Sequence, residues 1–388
     1  MFFQVFENQF FHNNQVFDFL PEDHNKTWDH QAILKDHNVD YAFVWGNGQS
    51  LDDLCPDQIY EDWKKISKKI KAFMKSYQTV GVRVSDYNLK QMIPEKFIYK
   101  YLFYKNLISQ HVFENHEKPV NYDFMTDLHR MCSEIAQNNL KLNLDKIKYT
   151  LKHQDTYKKL QRVSHNVQYD AYKTITGRLS IKPMSFPILN LKKECRGVIE
   201  PSGHCFVELD FNAAELRTFL ALLDIPQPEE DIHNWIGEEV YGGKFERDKV
   251  KQKVFSWLYD PRKKDEKLEK IFQREKILEK YYNYNTKHIT TVFERNIPCE
   301  EHYALNYIIQ STTSDLFLRQ AIKIWKMLEG KKTNVAFTIH DSLVLDFHLS
   351  DQAMVNRMIE EFSNTDLGKF KVNISGGKDF GEMKEMNL

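Results

Sequence analysis

The sequence predicts an α+β fold, and three observations carry this prediction. Residues 205–210 form an apolar run that ends at Asp210, which is typical of a buried strand. Two short apolar runs, 335–339 and 343–345, are separated by a three-residue polar tip and predict a β-hairpin. Between these features, residues 229–300 are highly charged and largely helical in pattern. The 388 residues allow two or three packed units at roughly 100–200 residues each.

Composition excludes several classes of protein. The chain is 41% hydrophobic and 28% charged, which excludes wholesale disorder. Its net charge of −1 excludes histone-like binding through bulk charge, so an anionic partner needs local basic clusters. Five cysteines without a CxxC pair indicate neither a disulfide framework nor a zinc module. Because no apolar stretch reaches about 18 residues and the first residues lack a signal-peptide pattern, we expect an intracellular protein that does not bind membranes.

The first 118 residues are rich in aromatic side chains. Residues 41–45 predict a strand that enters a turn at residues 46–48. Residues 59–76 have helical periodicity with lysines on the polar face, for which a solvated surface is favoured over a nucleic-acid-binding stripe. Lys118 precedes a proline and predicts a domain boundary.

Two further segments are predicted to be helical. Residues 122–160 follow the helical period, and the stretch 141–162 is basic. Residues 213–223 predict a helix for which Asn212 is the candidate N-cap.

Asp210 and Asp341 both follow apolar strands. An aspartate in that place usually forms a turn or caps a helix. If the two strands are neighbours, however, the carboxylates meet, and like charges at that distance need a cation between them. The pair therefore predicts two Mg²⁺ ions in a phosphoryl-transfer site.

A four-residue repeat predicts a nucleotide-binding helix face. Arg247, Lys251, Phe255 and Tyr259 fall on one slowly winding stripe about 18 Å long. Two cations, an aromatic ring and a phenol suit the phosphates, sugar and base of a nucleoside triphosphate. A basic face beside two core aromatics remains the alternative.

Two weaker features involve arginine and amide side chains. A glycine turn in residues 174–180 presents Arg178, which could bind phosphate or a base edge. Asn306 and Gln310 form an i,i+4 amide pair that could donate to minor-groove acceptors, although ordinary surface amides are favoured when the pair is taken alone.

In chain order, these features resemble the family A DNA polymerases. The element T-x-T-G-R-L-S matches residues 174–180, and the first catalytic motif matches residues 210–217 as DFNAAELR. The fingers helix R-x3-K-x3-F-x3-Y is complete at 247–259, N-x3-Q follows at 306–310, and the His-Asp hairpin falls at His340 and Asp341. The resemblance covers about residues 120–388.

The resemblance implies a right-hand polymerase with an antiparallel palm sheet. The implied domains are an N-terminal exonuclease-like or cap domain at 1–118, a short helical thumb at 119–165, palm at 166–228, helical fingers at 229–300 and palm again at 301–388.

It also implies roles for individual residues. Asp210, Asp341 and the backbone carbonyl of Phe211 would hold two Mg²⁺ ions, for which Mn²⁺ would substitute. The remaining residues would bind nucleotide and DNA. Arg247 and Lys251 would bind the triphosphate, and Lys251 would also protonate the departing pyrophosphate. Phe255 would pack on the sugar and base, while Glu215 and Tyr259 would exclude a 2′-OH. Primer and template would be contacted by Arg178, Asn190, Asn306, Gln310 and His340.

Some positions depart from the family pattern. Ser342 replaces the usual Glu after His-Asp. The motif His-Asp-Ser occurs in single-subunit phage-type RNA polymerases, so an enzyme of that type is one alternative. Glu215 and Phe255, which those enzymes lack, favour a DNA polymerase. His302 stands where an arginine is common, and Phe211, Ala213 and Leu189 also differ.

The N-terminal segment lacks the clustered acids of an active 3′–5′ exonuclease, and residues 86–89 are at best a remnant. An inactive DNA-binding scaffold is the second alternative. We expect primer-template DNA and dNTPs as partners, with a processivity factor, a single-strand binding protein or a separate exonuclease as helpers. The expected location is the cytoplasm of a phage-infected bacterium.

Overall fold

The computed structural model describes residues 1–6, 9–80, 89–260 and 262–386. The chain divides into two units, Met1–Ser133 and Glu134–Leu388. The division falls inside the helix Tyr122–Gln137, whereas Lys118 lies in the link between that helix and the preceding one.

The N-terminal unit combines short strands with long helices. Its elements are β1 (Gln4–Phe6), β2 (Gln9–His12), β3 (Gln15–Phe17), β4 (Lys26–Thr27), β5 (Asp40–Tyr41), α1 (Ala42–Trp45), α2 (Asp57–Thr79), α3 (Leu89–Met92), α4 (Glu95–Asn115) and the first part of α5 (Tyr122–Gln137). Strands β1, β2 and β3 form an antiparallel meander, and β4 pairs with β5 in parallel.

The helix predicted at 59–76 is confirmed by α2, which buries Trp63 and Ile66. The strand predicted at 41–45 is wrong beyond Tyr41, because residues 42–45 form one helical turn. The amide of Phe43 donates to the carbonyl of Trp28 at 2.9 Å, and the amide of Gly46 donates to the carbonyl of Ala42 at 2.8 Å, so the chain turns before a strand can extend. The candidate exonuclease remnant at 86–89 begins in residues that lie outside the described part, so its outcome is not tested.

The second unit contains the predicted site. Its first half consists of the end of α5, β6 (Lys141–Leu142), α6 (Asp145–Lys148), α7 (Gln154–Leu160), β7 (Tyr169–Asp170), β8 (Ser180–Ile181), β9 (Ile199–Glu200), β10 (Cys205–Phe211), α8 (Ala214–Leu222), α9 (Ile232–Glu239) and α10 (Arg247–Tyr259). Its second half consists of α11 (Glu266–Ile271), α12 (Arg274–Tyr281), β11 (Tyr282–Asn283), β12 (His288–Thr290), β13 (Asn296–Pro298), α13 (Glu301–Met327), β14 (Asn334–Ile339), β15 (Ser342–Phe347), α14 (Val355–Ser363), β16 (Asn364–Thr365), β17 (Gly368–Lys369), β18 (Val372–Gly377) and β19 (Lys384–Glu385). Short 3₁₀ turns connect several of these elements.

A five-stranded antiparallel sheet forms the base of this unit. Its strand order is β14-β15-β10-β18-β19, so the predicted strand at 205–210 lies in the centre and the predicted hairpin forms one edge. Both predictions are confirmed, with the hairpin tip reduced to His340 and Asp341. The α+β class is therefore confirmed as well.

Helix α13 is the longest in the unit and packs with α8 and α14. Apolar side chains of α8, α9, α10 and α13 form one buried core together with Phe272, Tyr282 and Ile289. Residues 229–300 are mainly helical, as predicted, but they also contain the small sheet β11-β12-β13. No helix in the described ranges is long and apolar enough to cross a bilayer.

Two local predictions needed correction. The helical pattern at 122–160 is interrupted, because Leu142 pairs with Ile199 as β6 joins β9. Asn212 is not the N-cap of α8: the cap position is Ala213, whose φ of 49° is left-handed. The side chain of Asn212 instead donates to Asp231 and accepts from Arg217.

Candidate active site

The end of β10 places Asp210 between two neighbouring strands. In the sheet register, Asp210 lies opposite Ser342 on β15 and opposite Asn373 on β18. The side-chain amide of Asn373 donates to Oδ2 of Asp210 at 3.3 Å. Burial raises the pKa of Asp210 to about 7, and the nearby carboxylates of Glu208 and Asp341 add to the rise.

The hairpin between β14 and β15 carries Asp341 at its tip. His340 before it has a φ of 53°, which turns the chain sharply. The amide of Phe211 donates to the backbone carbonyl of Asp341 at 3.4 Å, so Asp341 lies beside the end of β10. Burial raises the pKa of Asp341 to about 6, with Glu215 adding to the rise and Arg178 opposing it. The two predicted aspartates are therefore neighbours, although they are far apart in sequence.

The four-residue stripe on α10 lies opposite the buried face of that helix. Val250, Val254, Trp257 and Leu258 are buried in the core. On the other face, the rings of Phe255 and Tyr259 stack with centroids 5.8 Å apart, and Nζ of Lys251 lies 5.8 Å from the Phe255 centroid. The basic-face alternative placed Phe255 and Tyr259 in the core, but Tyr259 is 39% exposed.

Residues of the stripe interact with acidic side chains near the site along the length of α10. At one end, Arg247 forms a salt bridge with Asp231. Lys251 is close enough to Asp210 to oppose the rise in its pKa. At the other end, the hydroxyl of Tyr259 donates to Oε2 of Glu215.

Glu215 joins three elements of the site. It lies in the first turn of α8, is 7% exposed, and accepts from Tyr259 and from the guanidinium of Arg178. Burial and the Glu215 carboxylate raise the pKa of Tyr259, so the phenol stays protonated and can donate. These side chains line a cavity of about 300 Å³ together with Phe255, His340 and Asp341.

The loop that presents Arg178 packs against a partly buried ion pair. Gly177 has a φ of +75°, and a Cβ placed there would lie 2.5 Å from Nη2 of Arg295. Arg295 in turn donates to Asp315 through Nε at 3.0 Å and Nη2 at 2.6 Å. Thr174 closes the loop by donating to the carbonyl of Arg178 at 2.6 Å.

A second cavity, of about 780 Å³, opens on the Asp210 side of the sheet. It is lined by charged and polar side chains that include Asp210, Asp231, Arg247, His340 and Ser342. Partial burial and the nearby Arg196 and Arg178 lower the pKa of His340, which borders both cavities.

Three predicted primer contacts line neither cavity. Asn190 is exposed in the 3₁₀ turn Ile188–Asn190. Asn306 and Gln310 lie in the first half of α13, one turn apart and half-buried. Their roles therefore stay predictions.

Sequence reasoning missed several contacts that the fold forms at the site. Asp231 caps α9 and binds Arg247, and His233 packs against Phe255 with ring centroids 6.0 Å apart. Ser342, the departure from the family pattern, donates to Glu208 on β10, and Ser375 donates to the same carboxylate at 2.9 Å. An aspartate just before a helical segment is a recognisable cap signal, but nothing local connects Asp231 with Arg247 or Ser342 with Glu208.

Part of the basic segment 141–162 is neutralised within its own unit. Lys146 lies 3.2 Å from Glu200 and 2.7 Å from Asp379, and Lys141 lies 3.9 Å from Glu200. Lys158 and Lys159 on α7 are exposed. The surface available to an anionic partner is therefore smaller than the sequence indicates.

The carboxylates fit a hard divalent cation. Two half-buried acids with raised pKa values and an adjacent backbone carbonyl offer the oxygen ligands that Mg²⁺ prefers. Within the described residues, no group of three or more His, Cys, Asp or Glu side chains is arranged to hold a metal. Mg²⁺ commonly keeps several waters and substrate phosphates as ligands, so two carboxylates are compatible with it.

Comparison with known proteins supports a specific fold. No family model matches the sequence, and no curated protein matches it. Among solved structures, the chain is similar to the POL domain of Pol1 from M. smegmatis in complex with DNA primer-template and dNTP. The TM-score is 0.61 at 12% sequence identity, over 88% of this chain and 81% of that chain. The resemblance to family A DNA polymerases is therefore confirmed at the level of the fold.

Proposed function

We propose that the chain is a template-directed DNA polymerase that adds deoxynucleotides to a primer 3′-OH. The observation that carries the proposal is the meeting of Asp210 and Asp341 beside the stripe of α10, in a polymerase-domain fold. Paired acids, two cations and an aromatic surface are the groups that such a reaction would need, and all of them except Lys251 border the two neighbouring cavities that share His340.

In this proposal, the five-stranded sheet is the palm, residues 229–300 are the fingers and residues 119–165 are a short thumb. The unit that begins the chain is a cap or an inactive exonuclease-like domain. DNA would be held by phosphate and minor-groove contacts, with base pairing to the template providing sequence specificity.

Two Mg²⁺ ions would be held by Asp210, Asp341 and the backbone carbonyl of Phe211, and Mn²⁺ would substitute. When bound, the ions supply Lewis-acid activation of the 3′-OH and neutralise charge on the pyrophosphate.

The side chains of α10 would bind the incoming nucleotide. Arg247 and Lys251 would attract the triphosphate, and Lys251 would give a proton to the departing pyrophosphate. Phe255 offers a flat apolar surface for sugar and base. Glu215, fixed between Arg178 and Tyr259, would occupy the volume that a 2′-OH requires, so deoxyribonucleotides would be favoured.

Other side chains would contact primer and template. Arg178 and His340 border the smaller cavity. Asn190, Asn306 and Gln310 are assigned to the minor-groove side of the duplex, where acceptors occur in every base pair.

Primer extension tests the proposal directly. Wild-type protein with Mg²⁺ and dNTPs should extend a primer on a template, and Asp341→Ala should abolish extension. The matched control is Asp366→Ala, which removes a carboxylate that is 45% exposed and pairs only with Lys323 among the described residues. Equal extension by wild type and Asp341→Ala would overturn the carboxylate assignment, and absence of extension by all three proteins would favour an inactive scaffold.

Sugar selection separates the proposal from an RNA polymerase. We expect wild type to prefer dNTPs over rNTPs. Glu215→Ala should increase ribonucleotide incorporation by at least tenfold, because removing the side chain opens space beside Tyr259. A tenfold gain corresponds to a decrease of roughly 1.4 kcal/mol in the activation free energy. A wild-type enzyme that prefers rNTPs would support the phage-type RNA polymerase alternative instead.

We further propose that the protein acts in the cytoplasm of a phage-infected bacterium. A processivity factor, a single-strand binding protein or a separate exonuclease would assist it, because the predicted thumb is short and part of its basic surface is neutralised.

A further inference from the structure

The guanidinium of Arg247 is fixed by one carboxylate. Nε donates to Oδ1 of Asp231 at 3.1 Å, and Nη2 donates to Oδ2 at 2.8 Å. This two-point pairing sets the plane of the guanidinium as well as its position. The arginine side chain is 45% exposed, so little other packing would hold it.

Asp231 is itself held on several sides. Its Oδ1 accepts from the amides of His233 at 3.0 Å and Asn234 at 3.1 Å, which caps α9. Its Oδ2 accepts from the side-chain amide of Asn212 at 3.0 Å. Asn212 follows the end of β10, two residues after Asp210, so Asp231 connects the carboxylate strand with the first residue of α10.

A buried arginine immobilises the loop that carries Asp231. Arg217 is fully buried and donates to the carbonyls of Pro228 at 2.9 Å and Glu230 at 2.8 Å. It also donates to the backbone carbonyl of Asn212 at 2.9 Å and to its side-chain oxygen at 3.1 Å. The path from β10 to Arg247 therefore consists of hydrogen bonds between groups with little freedom to move.

The pairing leaves donors on Arg247 for a ligand. A guanidinium has five N–H groups, and the two-point pair uses one on Nε and one on Nη2. Nη1 lies 3.7 Å from the exposed carboxylate of Asp248, too far for a hydrogen bond. Three N–H groups can thus donate to phosphate oxygens while the two hydrogen bonds to Asp231 remain in place.

We infer that Asp231 is a positioning residue that holds Arg247 in the orientation that binds the triphosphate of the incoming nucleotide. This inference rests on the proposed function. A free arginine loses rotamer freedom when it binds phosphate, and that loss weakens binding. Because the fold has already ordered Arg247 through Asp231, the nucleotide binds more tightly than it would to an unrestrained side chain.

Asp231→Asn provides the test, since asparagine is also a good N-cap and retains an oxygen acceptor but loses the charge. The matched control is Asp265→Asn. Asp265 caps α11 in the same way, accepting from the amides of Lys267 at 3.1 Å and Leu268 at 3.2 Å, but it does not contact Arg247. If Asp231→Asn fails to fold, Asp231→Ser, which also caps helices, replaces it.

Two readouts are compared. The first is the Kd for a dNTP in a complex with template and a primer that ends in a dideoxynucleotide, so that no chemistry occurs. The second is the steady-state KM and kcat. We expect Asp231→Asn to raise Kd and KM by roughly five- to tenfold with little change in kcat, and Asp265→Asn to behave as wild type. In an Arg247→Ala background, Asp231→Asn should have no further effect on Kd.

Each other outcome has a defined meaning. Unchanged dNTP binding by Asp231→Asn overturns the inference. Tighter binding also overturns it, because it would show that Asp231 competes with the triphosphate for Arg247. An equal loss in the Arg247→Ala background also overturns it, because Asp231 would then act through another group. If wild type itself binds no dNTP, the proposed function fails, which is a different result from a variant that matches an active wild type.

Discussion

Gly177→Ala is expected to destabilise the second unit through a collision with the partly buried ion pair of Arg295 and Asp315. Gly177 has a φ of +75°, and a Cβ there would lie 2.5 Å from Nη2 and 2.7 Å from Cζ of Arg295. The guanidinium cannot simply move aside, because two hydrogen bonds tie it to Asp315, which is 1% exposed.

The magnitude has two parts. Alanine in the left-handed region costs about 1–2 kcal/mol relative to glycine. Breaking a buried ion pair costs about 3–5 kcal/mol when one charge is left without its partner, and partial displacement costs less. We therefore expect Gly177→Ala to lower the free energy of unfolding by about 2–5 kcal/mol.

Gly330→Ala isolates the collision from the backbone strain. Gly330 belongs to the same unit and has a φ of +70°, but a Cβ there meets nothing within 4 Å. Urea unfolding of the three proteins should show a loss of about 1–2 kcal/mol for Gly330→Ala and a clearly larger loss for Gly177→Ala. Equal losses would refute the claim that Arg295 is held rigidly beneath the loop of Arg178.

Three further outcomes are expected. Burial raises the pKa of Asp210 from 3.8 to about 7, so the carboxyl destabilises the fold increasingly as the pH rises through that interval. In EDTA, Asp210→Asn should therefore raise the Tm above that of wild type by more at about pH 8 than at about pH 4.5. A difference in Tm that does not depend on pH would contradict this sign. Phe219→Ala should lower the free energy of unfolding by about 3–5 kcal/mol, because Phe219 is fully buried between Trp257 and Phe272. A loss below about 1 kcal/mol in chemical unfolding would mean that neighbouring side chains fill the cavity. Asp351→Ala should lower the free energy of unfolding by about 1–3 kcal/mol in the same assay. The reason is that Asp351 accepts hydrogen bonds from the amides of Lys332 at 3.0 Å and Thr333 at 2.7 Å, just before β14. An unchanged stability would show that water satisfies both amides.

The sequence predicted those parts of the fold that depend on local periodicity. The apolar run into Asp210, the hairpin that carries Asp341 and the stripe on α10 all have the predicted secondary structure. Sequence reasoning failed at short range where a tertiary hydrogen bond prevailed. Residues 42–45 turn into a helix because Phe43 pairs with Trp28, and Asn212 binds Asp231 and Arg217 instead of capping α8.

By itself, the sequence determined which side chains share one face of α10, because i→i−4 hydrogen bonding makes helical geometry a property of neighbouring residues. Tertiary structure alone decided which partners those side chains meet. Strand register brings Asp341 to the end of β10, and packing of the charged helices brings Asp231 to Arg247 and Glu215 to Tyr259. Such contacts join residues distant along the chain, and they depend on how buried surfaces fit together, which no local pattern encodes.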